Sequence, residues 1–357
     1  ESRKPSGPSV TAIDGRAGRQ LRVARLTTWH LLALGATVAA ATAALFAVTP
    51  LAGRAGFVVV LVLLFPVILA GVSGAVEGAR RAINRVVIYL LILGFATALV
   101  PLVSVLSYTV VRGVKSLDLG FLSHSMFRVR PSAAGGGAFH AIIGTVEQVA
   151  IATVIAVPIG LLVAVYVVEY GRGRLANGVR FIVDVLSGLP SIVAGLFVYA
   201  FWVLGLNQGF SGLAASLALT ILMLPIIIRS TEEMLRLVPN SLREAGLALG
   251  IARWRIVLRI VIPSALAGIT TGIMLGIARA TGETAPVLLT AFALSKTNMN
   301  PFHGAQTSLP TFIFDQAQSA YDVAIDRAWA AALTLIIIVL LLNITARLLT
   351  RRNRLTY

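Results

Sequence analysis

Long apolar runs alternate with short, arginine-bearing breaks along almost the whole chain. A helix needs roughly 20 mostly apolar residues to cross a hydrocarbon core of about 30 Å. The windows that meet this test are Trp29–Val48, Ala55–Ser73, Val86–Val111, Ala141–Val168, Arg180–Gly205, Leu213–Arg229, Ser264–Phe292 and Trp329–Leu349. They predict an all-α, polytopic membrane protein with about eight transmembrane helices. A β-barrel would show weak alternation in segments of about ten residues instead. The first two windows are simple stretches of Ala, Val and Leu, whereas from Val86 onward the windows carry Pro, Gly, Ser, Thr and occasional ionisable groups. The chain therefore divides into a polar segment (1–28), an accessory helix pair (29–85), a six-helix working core (86–350) and a short tail (351–357).

The segments between windows have their own signatures. Residues 1–15 are polar and rich in Pro, Ser and Gly, the composition of a disordered segment. Glu77–Arg85 is a charged break, and Ala133–Ala138 (AAGGGA) reads as a flexible connection. No internal repeat is evident.

Composition agrees with the pattern. Hydrophobic residues make up 57% and charged residues 12%, with a mean hydropathy of +0.90; soluble domains carry about 25% charged residues. The net charge of +16 would suit nucleic acid, but its placement points to topology. Arg16, Arg19, Arg22 and Arg25 precede the first window, and Arg80, Arg81 and Arg85 follow the second. Arg172 and Arg174 follow the fourth, Arg236, Arg243, Arg253, Arg255 and Arg259 the sixth, and Arg351, Arg352 and Arg354 the last. Every second connection is thus arginine-rich, which predicts that both termini are cytoplasmic, beside anionic lipid headgroups. The connections 113–140 and 295–327 then face outside, the latter with Asp315, Asp322 and Asp326. Cysteine is absent, which excludes disulfides, and the scattered His30, His124, His140 and His303 offer no metal site. The first apolar run is too long for a cleavable signal and reads as a true span.

The segment 238–263, VPNSLREAGLALGIARWRIVLRIVIP, is the most structured of the polar connections. Pro239 breaks the incoming helix. Ser241 and Glu244 have the spacing of a capping box, which starts a short helix at Leu242. Gly250 supplies the left-handed residue that ends it. A second helical stretch, Arg253–Ile262, is closed by Pro263 at the membrane entry. Leu247, Leu249, Ile251 and Trp254 become apolar knobs on the two short helices. An ordinary interfacial helix with snorkelling arginines would have the same composition.

The spacing is more specific than the composition. Glu244-Ala245-Gly246, three residues, Gly250, nine residues and Ile260-Val261-Ile262-Pro263 resemble the EAA loop of ABC importer permeases. Gly246 stands where that pattern has a second Ala, and Ile262 where it has Leu. Gly at position 246 costs the helix about 1 kcal/mol relative to Ala, and opens room for a neighbouring backbone. The resemblance implies that Ser241, Glu244, Ala245, Gly246, Gly250, Trp254 and Pro263 form a coupling element that docks on an ATPase subunit. A phosphate-cradling loop needs G-x-x-x-x-G-K-[ST]; the lysines are Lys4, Lys115 and Lys296, and none follows such a pattern. ATP and Mg are therefore expected on a separate ATPase, with no cofactor and no catalytic residue here.

Charged groups inside the apolar runs bear on the cargo, because a mid-membrane charge costs at least about 2.5–3.5 kcal/mol and faces a cavity or a partner. Arg279 and Glu283 lie four residues apart, on one face of the seventh window. They read either as a structural pair or as part of a path. Arg229 ends the run LMLPIIIR and reads as a path residue or as a snorkelling one; Asp184 reads as an interhelical anchor. Thr145 and Glu147 sit near the external end of the fourth window. Ser191, after Pro190, serves a path or bonds its own helix. Pro190, Pro225 and Pro286 bend helices or free carbonyls, as transport paths require.

The strings IARATGETAPVLLTAF, LMLPIIIRSTEEMLRLVP, FIVDVLSGLPSIVAGLF, GLLVAVYVVEYGRG and LPTFIFD, spread between Val86 and Leu349, resemble the permease family of phosphate ABC importers. That resemblance implies a substrate path through Arg229, Arg279 and Glu283, joined here by Ser191 and Thr145. It implies a bacterial cell membrane, a second homologous permease (PstC-like), an ATPase dimer (PstB-like) and an external phosphate-binding protein (PstS-like). The first two helices fall outside it. Sulfate or molybdate is the alternative cargo. A membrane-embedded serine enzyme would need a G-x-S-x-G nucleophile and a nearby histidine, and Ser191 has neither. A passive channel gives no reason for the coupling turn.

Overall fold

The computed structural model describes residues 26–48 and 53–352. The expected disorder of residues 1–15 and the arginines Arg16, Arg19, Arg22, Arg25 and Arg354 lie outside them. Among the described residues the regular structure is helical, apart from one isolated bridge between Ser211 and Gly304. Seven helices among the described residues are long and apolar enough to cross a membrane, or eight if one bent pair is a single span. Backbone contacts divide the chain into a unit ending at Ser104 and a unit starting at Val105, a division that falls inside a helix.

The first unit holds α1 (Thr28–Val48), α2 (Arg54–Glu77) and the start of α3 (Ala79–Ser116). Phe46 and Phe57 meet edge to face across α1 and α2. Only Gly78, at φ +87°, separates α2 from α3, so the charged break is one residue wide. The one carboxylate of Glu77–Arg85 pairs with one of that segment's three arginines. Glu77 accepts hydrogen bonds from Arg85 Nε at 2.5 Å, Ser73 Oγ at 2.9 Å and the Leu26 backbone N–H at 2.8 Å. Arg85 also donates to the Leu26 carbonyl, which fastens the start of α1.

The second unit continues with α4 (Leu119–Ser123) and α5 (Phe139–Val165), which runs on through a π turn at Tyr166–Tyr170. After α6 (Gly173–Ser187), α7 (Ser191–Val198) ends in a second π turn, Tyr199–Gly205. Then follow α8 (Gly212–Arg236), α9 (Asn240–Ala248) and α10 (Arg253–Ile256). A third π turn, Val257–Val261, leads into α11 (Ile262–Thr281). The chain closes with α12 (Ala285–Ala291), α13 (Leu309–Ala317) and α14 (Asp322–Arg352).

Helix α8 is the centre of this unit: 67% of its apolar window is buried, against 28% for the spans of α5, α11 and α14. Small residues bring its neighbours close, the main route to helix association where lipid offers no hydrophobic contrast. On α11, Gly268, Gly272 and Gly276 sit against Met234, Ser230 and Ile227 of α8, a descending order that makes the two helices antiparallel. On α5, Ala152, Ala156, Gly160 and Ala164 form a buried stripe. Gly144 and Gly212 both abut Gln306 near the starts of α5 and α8, and Gly160 abuts Ile227 further along, so these two run parallel.

Four expectations need correction. The window Arg180–Gly205 is two helices bent by 106° at Gly188–Pro190. Pro190 has no N–H to give and disfavours helix at Leu189, and Gly188 adds no resistance. The window Ser264–Phe292 also breaks, at Gly282–Thr284, with Pro286 opening α12. At its other end the same helix is longer than expected, one span from Arg253 to Thr281, so Pro263 does not close a separate stretch. The wide turn Val257–Val261 absorbs the hydrogen bond that Pro263 cannot make. Finally, 133–138 is a packed loop. A Cβ on Gly137 would lie 2.7 Å from the Phe121 carbonyl carbon, and Arg327 donates to the carbonyls of Pro131, Ala133 and Gly135.

Candidate substrate path and coupling turn

At the start of α5, Thr145 is buried and doubly engaged: its hydroxyl donates to Ala141 O at 2.8 Å and accepts from Leu309 N–H at 2.7 Å. It therefore fixes the start of α13, which has its own capping box between Ser308 and Thr311. One turn along, Gln148 Nε2 donates to Gln306 Oε1 at 3.1 Å, and Gln306 Nε2 donates to Glu147 Oε2 at 2.5 Å and Asn298 O at 3.0 Å. Both glutamines are buried, and Gln148 Oε1 has no partner among the described residues. Beside them lies a cavity with about 10 Å³ of free space, lined in part by Thr145, Gln148, Thr281, Glu283 and Ser308; that is room for about one water. The structure thus brings Thr145 and Glu283 to one small cavity of mixed lining.

Arg279 occupies the last turn of α11, and Glu283 lies past its end, in the break before α12. The expectation that both share one helix face is corrected, but the break keeps them together: Arg279 Nε is 3.6 Å from Glu283 Oε1. The Arg279 side chain is 61% exposed and that of Glu283 16%. A sheltered carboxylate therefore holds an open guanidinium. The register of α8 on α11 puts Arg279 level with Met223 and Leu224. Arg229 is then offset by roughly 8 Å along the axis, at 1.5 Å per residue.

Arg229 is paired twice. It meets Asp184 of α6, which makes that residue the anchor expected of it, and Glu232 Oε2 at 3.2 Å. Glu232 is nearly enclosed and also takes Arg236 Nη2 at 2.5 Å, with Arg180 Nε at 3.8 Å. Three arginines against two carboxylates leave one positive charge over. Ser191, the first residue of α7, is half-buried, and its hydroxyl has no partner among the described residues. It follows the break between α6 and α7.

In the turn, α9 begins at Asn240 with Pro239 as its cap and no side-chain cap. The capping box of Ser241 and Glu244 is thus corrected, since both residues lie within the helix. Pro239, at φ −59° and ψ 138°, sets the entry by itself. Arg243 binds the nearby acceptors, donating to Leu235 O, Val238 O, Asn240 Oδ1 and Glu169 Oε1. Gly250 has φ +74° as expected, and the Ile251 N–H closes back on Gly246 O at 3.1 Å, a helix-ending pattern that favours Gly.

Ser241, Glu244, Ala245, Leu247, Leu249 and Trp254 are exposed, with Leu249 at 79%. Ile251 is not a knob but packs inward with Leu235, Val238 and Ile256. Gly246 is buried against Ile256 of its own chain, so the room it opens is already filled. Pro263 sits in the first turn of α11. Sequence reasoning passed over Glu169, Arg243, Glu232, Gln148 and Gln306. Glu169 within GLLVAVYVVEYGRG was the available signal, since a carboxylate in an apolar run demands a partner.

Comparison with known proteins adds a family. Residues 156–355 match the model of the binding-protein-dependent transport system inner membrane component. The phosphate transport system permease protein PstA 1 of Mycobacterium tuberculosis is 46% identical over 281 residues, 77% of this chain and 91% of that protein. PstA of Yersinia pestis is 40% identical over 77% of this chain and 92% of its own length. Among solved structures, one described as inward facing conformations of the MetNI methionine ABC transporter has a TM-score of 0.48 at 22% identity, covering 60% of this chain and 94% of that one.

Proposed function

The chain belongs to the family of binding-protein-dependent inner-membrane transport components, among the PstA phosphate permeases, and from that membership we infer that it is the permease subunit of an ATP-driven phosphate importer. It is a multi-pass membrane protein with no ATPase site of its own. ATP and Mg belong to a separate pair of ATPase subunits, PstB-like, docked on the exposed residues of the turn 240–254. A PstC-like permease completes the path, and a PstS-like binding protein delivers phosphate from outside. Both termini lie in the cytoplasm, on the arginine-rich side.

The observation that carries the reading of the path is the pair Arg279 and Glu283 at a helix break. Interrupted helices at a membrane-embedded site are how many transporters expose backbone and side chains to a solute. A guanidinium offers a planar fork of donors that fits the oxygens of phosphate. Glu283 neutralises Arg279 when the path is empty. When hydrogen phosphate arrives, the carboxylate accepts from its P–OH and repels sulfate, which has no such proton. Arg229 supplies a second cationic station about 8 Å further along. ATP binding closes the ATPase pair, moves α9 and reorients the helices around this path.

The test is uptake of labelled phosphate against competing sulfate in Glu283→Gln. The expected result is a loss of preference, with sulfate now inhibiting. An unchanged preference would overturn the assignment of sulfate rejection to Glu283, and selection would then rest on other groups of the path.

A further inference from the structure

The turn must do more than dock, because a displacement of α9 has to reach helices that carry the path. Arg243 is placed to transmit it. Its neighbour Glu244 is exposed, whereas the Arg243 side chain is only 17% exposed and faces Glu169, whose side chain is 3% exposed. From that position Nε and Nη2 both donate to Glu169 Oε1, at 3.0 and 2.8 Å. Nη2 also reaches Leu235 O at 2.8 Å, and Nη1 reaches Val238 O at 2.6 Å and Asn240 Oδ1 at 3.2 Å. One side chain therefore joins three elements: α9 itself, the C-terminal end of α8, and the π turn that prolongs α5.

We propose that Arg243 is the positioning residue that converts movement of α9 into movement of α5 and α8, with Glu169 as its buried counter-ion. The proposal rests on the reading that α9 docks an ATPase. Its physical basis is the number and direction of the bonds. The last carbonyls of a helix have no intrahelical partner and sit at the negative end of its dipole, so a cation is well placed there. A guanidinium can serve two carbonyls and a carboxylate at once in a fixed fork, which an ammonium cannot. The linked helices are the ones that matter to the path: α8 carries Arg229 and α5 carries Thr145. A further tie between α9 and its surroundings is the apolar seat of Gly246 on Ile256. Apolar contacts resist compression but let helices slide, whereas the four directional bonds that leave α9 also resist pulling.

The test uses the complete importer in lipid vesicles, with its ATPase and binding protein, and two mild variants. Glu169→Gln keeps the shape and an acceptor but removes the charge. Arg243→Lys keeps the charge but removes the fork. Three quantities are read: ATPase subunit retained after purification, ATP hydrolysed, and phosphate taken up per ATP. The expected result is retention of the ATPase, hydrolysis within about twofold of the parent, and phosphate per ATP reduced by about tenfold in both variants. An unchanged ratio overturns the proposal, as does release of the ATPase, which would make the joint part of the docking surface. Leu249→Glu is the separate control on docking. It is expected to release the ATPase, and retention there would overturn the docking reading itself.

Discussion

Arg327 and Arg279 are both helix-borne arginines in the same unit, and they are held in opposite ways. Arg327 is 4% exposed and donates to the carbonyls of Pro131, Ala133 and Gly135 and to Gln316 Oε1, with no carboxylate partner among the described residues. Arg279 is largely exposed, and its partner is one carboxylate at 3.6 Å. Backbone acceptors that belong to a folded loop do not leave, so Arg327 is committed to the fold. A single side-chain partner can be exchanged, so Arg279 is open to a solute anion.

Substituting each by Met puts the comparison at risk. Arg327→Met takes the donor from three carbonyls of exposed loop residues and from the amide oxygen of buried Gln316, the last at roughly 1–3 kcal/mol. The expected outcome is little monodisperse protein after detergent extraction, measured by size exclusion. Arg279→Met should reach normal levels in the membrane while phosphate uptake falls by about a hundredfold. If Arg279→Met is the variant that fails to accumulate, the two arginines have been assigned the wrong way round.

Arg229 stands between these cases. It is 36% exposed and divided between Asp184, which is 61% exposed, and Glu232, at 5%. The open carboxylate is the one a substrate would displace. Asp184→Asn should leave Arg229 freer, so that labelled phosphate is retained about threefold more tightly by the complex without its binding protein, while turnover slows. Weaker retention would show that Asp184 helps hold phosphate, and would move Arg229 into the same group as Arg327.

The sequence made the spans legible because apolar length is a strong signal, and the EAA spacing made the turn legible because Gly250 permits a positive φ that other residues avoid and Pro263 is confined to a helix start. What it concealed were partnerships between distant positions. Arg327 reads as one more positive charge until its partners 131–135 are known, and the AAGGGA run reads as slack although Gly136 and Gly137 have no room for a Cβ and Gly135 takes a positive φ. The breaks at Gly188–Pro190 and Gly282–Thr284 carried Gly and Pro, yet apolar length overrode those signals. Ser241 and Glu244 matched a capping box by spacing, but Pro239 and Arg243 had already determined how α9 begins.

The same contrast between fixed backbone and movable side chain can be tested at two glycines, with a smaller effect. A Cβ on Gly246 would lie 2.8 Å from Ile256 Cδ1 and 2.9 Å from Cγ1, while one on Gly137 would lie 2.7 Å from a backbone carbon of Phe121. At position 246 alanine gains about 1 kcal/mol of helix propensity, and overpacking of this kind costs about 1–3 kcal/mol. Gly246→Ala alone should therefore lower stability slightly. Ile256→Val removes the offending Cδ1 and by itself costs about 0.5–1.5 kcal/mol. Together the two should be less harmful than their sum, with a coupling of at least about 0.5 kcal/mol in a double-mutant cycle of thermal unfolding. Gly137→Ala meets main chain, so a shortened neighbouring side chain should not rescue it. Additive behaviour at 246 and 256 would mean that Ile256 is not what fills the space beneath the turn. The missing methyl of Gly246 would then have to be explained from outside the chain.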